Sequence, residues 1–124
     1  LYRLEINMKI YEYEVNEIGK NGSSLKGYVN TTYDKLVSIL GKPSYTDADP
    51  YAKVSCEWNL TVKVEDPYDS EDYTYEDIAI YSWKNGCIPL DECRWNVGGF
   101  SFEAEEIAQT ILDNSIEPVY SEVA

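Results

Sequence analysis

The sequence predicts an α+β fold: an antiparallel β-sheet of about 4–5 strands with two helices packed on one face. Three observations carry this. Residues 54–64 alternate apolar and polar positions with a strand's period of two, two other segments carry helix-period apolar stripes with caps, and the strongest strand patterns fall consecutively between those helices. Short connections between consecutive strands, with the helices laid on one side, satisfy that order economically. The length of 124 residues and the 44% hydrophobic content suit a single globular domain spanning residues 1–124.

In residues 2–10 the apolar side chains alternate (Tyr2, Leu4, Ile6, Met8, Ile10), and Tyr11, Tyr13 and Val15 then take the opposite phase. A phase shift of that kind predicts a bulge or the junction of two strand segments. Residues 19–27 form a polar turn containing Asn21-Gly22, which predicts a hairpin into a short strand near Tyr28-Val29. Helical spacing follows over residues 31–40, where Tyr33, Leu36, Val37 and Leu40 share a face; Asn30 or Thr31 supplies the N-cap, and Gly41 and Pro43 the stop. A polar connection at 44–53 leads to the clearest strand, in which Val54, Cys56, Trp58, Leu60, Val62 and Val64 form the core face and the intervening residues the wet one.

Residues 65–77, with seven acids and three tyrosines around Pro67, read as a long hairpin loop or solvated arm. Residues 78–83 are apolar on both faces, as a central strand requires. Asn85-Gly86 marks a turn, and Cys93, Trp95 and Val97 alternate in a short strand ending at Gly98-Gly99. Ser101 is placed to cap a final helix whose Ala104, Ile107, Ala108, Ile111 and Leu112 form one stripe, with Glu103, Glu105 and Glu106 in its favourable first turn. Residues 114–124 read as a loose tail, and the three tryptophans, Trp58, Trp83 and Trp95, fall in strand patterns and are assigned to the core.

The apolar runs are strand-length, far short of the roughly 20 residues that cross a bilayer, and no basic-then-apolar leader is expected. Because Leu1 stands first, either the start is trimmed or residues 1–7 lie upstream of a start at Met8. Three cysteines, Cys56, Cys87 and Cys93, cannot all pair within one chain, so reduced thiols are the expectation; Cys87 and Cys93 flank a short loop that could close a disulfide in an oxidising compartment. Asn21, Asn30 and Asn59 each begin an Asn-x-Ser/Thr sequon, the third within a strand.

Charge is the strongest compositional signal: 23 acids against 10 bases, a net charge of −13, and no histidine. A field of that sign repels nucleic acid and anionic membranes and draws in basic surfaces, although acidity can also serve solubility alone. General acid/base catalysis most often recruits histidine, and carboxylates in a solvated loop lack the burial that separates their pKa values, so no catalytic residue is expected. Cys56 reads as a small buried hydrophobe, Cys93 has only Arg94 as a neighbouring cation, and Gly98-Gly99 reads as a tight strand-to-helix turn rather than an anion nest. The acids at 66–72 lack the central Gly and terminal Glu of an EF-hand loop, so neither a metal nor another cofactor is expected.

Gly27-Tyr28-Val29, Thr31-Thr32-Tyr33-Asp34-Lys35-Leu36-Val37, Leu40-Gly41-Lys42-Pro43, Trp58, Ile80-Tyr81-Ser82-Trp83-Lys84 and Trp95-Asn96-Val97-Gly98-Gly99 resemble, in that order, a set of small acidic orphan proteins of bacteriophages and large DNA viruses. The resemblance covers about residues 28–112. Where those proteins often carry a His after the Trp, this chain has Asn96, which argues against a catalytic role there. The helix, Leu-Gly-x-Pro and Trp-bearing strand also resemble the repeat unit of β-lactamase-inhibitor-type and outer-membrane assembly lipoprotein folds, a likeness of fold alone.

What the viral resemblance implies, joined to the charge, is an inhibitor of a host nucleic-acid-binding defence protein, of anti-CRISPR or anti-restriction type. Acting in the host cytoplasm, it would occupy the basic channel of a nuclease or effector with carboxylates standing in for phosphates, touching neither nucleic acid nor membrane. The expected contacts are Glu65, Asp66, Asp69, Glu71, Asp72, Glu76 and Asp77, with Tyr68, Tyr73 and Tyr75 stacking on arginines. Two alternatives are a module that sequesters a signalling nucleotide, for which the bases are scattered along the chain, and a structural protein that assembles through sheet edges.

Overall fold

The computed structural model describes residues 9–120 apart from 67 and 70; the strand expected at residues 2–8, the start at Met8 and the tail beyond residue 120 lie outside the described residues. In chain order the elements are β1 (Ile10–Asn16), β2 (Ser24–Thr31), α1 (Tyr33–Leu40), β3 (Tyr45–Thr46), β4 (Cys56–Glu65), β5 (Tyr73–Tyr81), β6 (Cys93–Gly99) and α2 (Ala104–Asp113). The strands form one six-stranded antiparallel sheet, ordered β1-β4-β5-β6-β2, with the short β3 on the side of β4 that β1 also occupies. The count exceeds the four to five expected because β3 carries too few residues to leave a periodic signal.

Both helices begin and end for local reasons. Thr32, one residue later than expected, caps α1 by accepting the Lys35 N–H at 3.1 Å, since Asn30 and Thr31 are still paired within β2. Gly41, at φ 82°, ends it. The stripe of α2 is the one the sequence marks, but Ser101 does not cap it: its hydroxyl donates to Glu76 at 3.0 Å, and Glu103 takes the cap position without a side-chain bond.

Cross-strand partners explain the core. Trp58 faces Ile80, Leu60 faces Ile78, Ile80 faces Val97 and Val29 faces Trp95, all on one side of the sheet. Trp58 is fully buried, lies edge-on to Trp95 with centroids 5.8 Å apart, packs on Tyr33 of α1, and donates its indole N–H to the Gly41 carbonyl at 3.0 Å. Ala104 of α2 sits on Gly99, which faces the same side as Ile78, so both helices cover one face, as expected.

β1 and β2 lie at opposite edges, so residues 17–23 are not the turn of a β1–β2 hairpin. The Asn21-Gly22 signal is local, whereas strand partners are chosen by long-range packing. This segment crosses the face the helices leave open. Asn59 and Ala79 on that face are consequently only 6% and 8% exposed, Gly19 lies against the Asn59 side chain, and Lys20 reaches Asp77 at 3.4 Å. The expected phase shift in β1 appears as a register break between Ile10 and Glu12.

Residues 114–120, expected to be loose, run along β1: the Val119 N–H donates to the Tyr13 carbonyl at 2.8 Å, and the Tyr13 hydroxyl donates to the Ile116 carbonyl. Burial, with Tyr120 and Glu117 nearby, pushes the Tyr13 phenol well above its ordinary range and keeps it a donor.

The neighbouring glycines of β6 test this layering. A Cβ at Gly99 would stand 2.8 Å from that of Ala104, while one at Gly98, on the other face, would meet Tyr81 at 3.4 Å and Ala79 at 3.9 Å, ordinary contact distances. Gly99→Ala is expected to cost about 1–3 kcal/mol and to lower Tm by roughly 4 °C per kcal/mol. Gly98→Ala should stay within about 0.5 kcal/mol of wild type in the same denaturation assay.

Candidate functional site

The acidic segment is shorter as a loop than its composition suggests. β4 continues to Glu65 and β5 starts at Tyr73, with Glu65 opposite Tyr73, Lys63 opposite Tyr75, Val62 opposite Glu76 and Thr61 opposite Asp77. Only residues 66–72 connect them, and Tyr73, Tyr75, Glu76 and Asp77 belong to a strand rather than a solvated arm. Tyrosine and threonine at alternate positions, with β4 as a template, outweigh the charge that signals a loop.

Within the connection the aspartates shape the backbone. Asp66 accepts the Tyr68 N–H at 2.8 Å, Asp69 accepts the Glu71 N–H at 3.0 Å, and Asp72 accepts the Tyr73 N–H at 2.8 Å, while the Asp66 N–H closes the hairpin on the Asp72 carbonyl at 3.1 Å. Each carboxylate thereby keeps an oxygen for solvent, and Tyr68 is 98% exposed.

The ten expected contacts surround one end of the sheet without sharing a face. On the open face lie Glu65, Tyr73, Tyr75 and Asp77; Asp77 accepts the Thr61 hydroxyl at 2.7 Å and pairs with Lys20. On the helix side Asp66, Tyr68 and Glu76 line a cavity of about 260 Å³ with Val64, Thr74 and Glu103. Asp69, Glu71 and Asp72 are exposed at the tip. Glu76 and Asp77 are thus engaged in holding Ser101, Thr61 and Lys20.

Several residues of this end escape sequence reasoning because they come from other segments. Glu12 arrives opposite Lys63 on β1, and Glu103 arrives with the start of α2. Among the described residues Lys20–Asp77 is the one ion pair. The Lys63 ammonium stands over the Tyr73 ring, 4.1 Å from its centroid, and Lys9 over Tyr11 at 5.0 Å, so both of these ammonium groups rest on aromatic rings.

The opposite end of the open face holds a second cluster. Trp83, assigned to the core, is 44% exposed, because β5 ends at Tyr81 and the chain leaves the sheet before Trp83 can be covered. It packs edge-on to Tyr81 at 6.2 Å; Tyr81 and Tyr28 both face Asn96, and Arg94 stacks over Tyr28 at 4.1 Å. Trp58 and Trp95 are buried, as expected.

All three cysteines are free; burial, reinforced by Glu57, pushes the Cys56 thiol up to about 12, and burial raises that of Cys93. Asn59, the sequon within a strand, is buried beneath the crossing segment. Among the described residues no group of three or more His, Cys, Asp or Glu side chains is arranged to hold a metal, and no helix is long and apolar enough to cross a membrane. No family model, curated protein or solved structure matches the chain.

A thiol titration at pH 8 should separate the three sites. Cys87, exposed, is expected to react first and Cys93 more slowly, whereas Cys56 should react only on unfolding. Cysteine-to-serine variants, taken singly, assign each phase; rapid labelling of Cys56 in the folded protein would contradict its burial.

Proposed function

We propose that this protein binds a basic partner through the acidic end of its sheet, and that the partner is a host nucleic-acid-binding nuclease or effector whose channel the carboxylates occupy in place of phosphates. Inhibition of anti-CRISPR or anti-restriction type is its concrete form, and it draws on the viral resemblance of residues 28–112. One observation carries the reading. Glu12, Glu65, Asp66, Asp69, Glu71, Asp72 and Glu103 come from three parts of the chain to surround one end of the sheet, and among the described residues none of them is ion-paired.

The physics follows from that imbalance. Unpaired carboxylates produce a negative field, which raises the encounter rate with a positive surface and falls off with salt. Asp66, Asp69 and Asp72 are held by their own backbone bonds, so docking against them orders little additional chain. Tyr68, Tyr73 and Tyr75 add rings on which guanidinium groups stack.

Charge reversal tests this on a basic nuclease chosen for inhibition by the wild-type protein. Replacing Asp66, Asp69, Glu71 and Asp72 by Lys should weaken binding by about 100-fold, while duplex DNA competes with the wild-type protein and the affinity drops steeply with salt. Glu76 and Asp77 are left intact because they hold neighbouring side chains. Affinity that survives the reversal would end the mimicry reading.

A second reading, sequestration of a nucleotide, is favoured by the ring cluster at the other end. Arg94, far from Tyr28, Tyr81 and Trp83 in sequence, joins them on the open face, where rings can stack on a base and the guanidinium can meet a phosphate. Titration with nucleotides should then quench the exposed Trp83, and Trp83→Leu should abolish the signal while buried Trp58 and Trp95 keep theirs. Unchanged fluorescence across a nucleotide panel, with no excess absorbance at 260 nm in the purified protein, would remove this reading.

A further inference from the structure

Phenylalanine occurs twice in the chain, and both copies face solvent: Phe100 is 49% exposed and Phe102 89%. They lie in the turn between β6 and α2, where successive side chains diverge. Ser101 donates to Glu76, and Glu103 lines the helix-side cavity with Asp66 and Tyr68. Phe100 instead lies beside Gly22 and lines a small crevice with Ile18, while Phe102 has the Lys26 ammonium over its ring at 5.1 Å. Leu25, 47% exposed, and Ile18, 82% exposed, add further apolar surface around the start of β2. One turn therefore joins uncovered rings to the carboxylate-bearing end of the sheet.

That juxtaposition divides the work of binding. Carboxylates in water are screened over about 8 Å at physiological salt, so they govern encounter and orientation more than residence. Long residence depends on aromatic side chains that become fully desolvated, and differences in dissociation rate account for most differences in affinity between related complexes. Of the nearby lysines, Lys20 is paired with Asp77, whereas Lys26 keeps its positive charge over the Phe102 ring and must swing off it when that ring is buried.

Resting on the basic-partner reading above, we propose that Phe100 and Phe102 are the apolar anchors of the same interface, and that it fits a protein surface on which Arg or Lys side chains flank an apolar pocket. A partner of pure positive charge, such as an open channel with no apolar pocket, would leave both rings in water.

Two synthetic peptides of equal charge and about twelve residues test it, one alternating Arg with Leu and the other Arg with Ser. Wild-type protein should hold the Arg-Leu peptide about tenfold more tightly, with the difference in dissociation rate. The Phe100→Ser/Phe102→Ser variant, whose changes are confined to exposed positions, should lose that preference while binding the Arg-Ser peptide as before. Circular dichroism and Tm establish that it remains folded. Equal binding of the two peptides by wild type, or a preference that persists in the double variant, overturns the anchor assignment and leaves the acidic reading standing. Failure of both peptides to bind wild type overturns the acidic reading and the anchors with it.

Discussion

The placement of β1 and β2 at opposite edges of the sheet is the constraint on which the rest of the molecule turns. With β4, β5 and β6 between them, the link must cross the sheet, and the helices already occupy one face. Residues 17–23 therefore traverse the other, over positions that are small or buried beneath them: Gly19 meets Asn59, and Ala79 and Gly98 lie side by side between β5 and β6. The crossing fixes what remains open. It takes Asp77 out of the free carboxylates by pairing it with Lys20, and it parts the open face into an acidic, tyrosine-bearing end and an end with Tyr28, Tyr81, Trp83 and Arg94.

Much of the fold is legible in the sequence because it is written in local periodicity. The alternation of β4, the stripe of α2, the phase break before Tyr11 and the Gly41 stop all report contacts within a few residues of themselves. The crossing segment is not legible in that way. Asn21-Gly22 is a sound turn signal, but the partner of β1 is decided by Val15 and Tyr13 packing beside Leu60 and Val62, more than forty residues on. Trp83 shows the same limit: its alternation with Tyr81 continues the pattern of β5, but burial depends on where the sheet ends. At the acidic end, the hairpin carboxylates can be found from composition, whereas Glu12, Glu103, Phe100 and Phe102 become neighbours of that end only through tertiary contacts.

The acidic residues of the hairpin serve two physical roles that composition cannot separate. Asp66, Asp69 and Asp72 bend the backbone by accepting nearby N–H groups, and Glu76 and Asp77 anchor other elements. Those bonds do not neutralise charge, because a carboxylate that accepts a backbone N–H remains negative. Lys63 and Lys9, the lysines nearest this end, lie over tyrosine rings and keep their own positive charge. The fold thus spends carboxylates on loop geometry while keeping the field they generate.

At each of the two long edge strands the chain itself engages a backbone group. Residues 116–120 flank β1, where Val119 donates to Tyr13. On β2 the Tyr28 N–H is taken by the Glu105 carboxylate at 3.0 Å, and Gly27 leaves the space that this carboxylate fills. An incoming strand would have to displace a covalently attached competitor at β1 and a charged acceptor at β2, devices that suppress edge-to-edge pairing. The side chains the fold leaves uncovered are carboxylates and rings at the hairpin end, two phenylalanines beside them, and a second set of rings across the face. Recognition built on side chains selects partners by charge and shape, and the proposed preference for a basic surface rests on which side chains stand exposed.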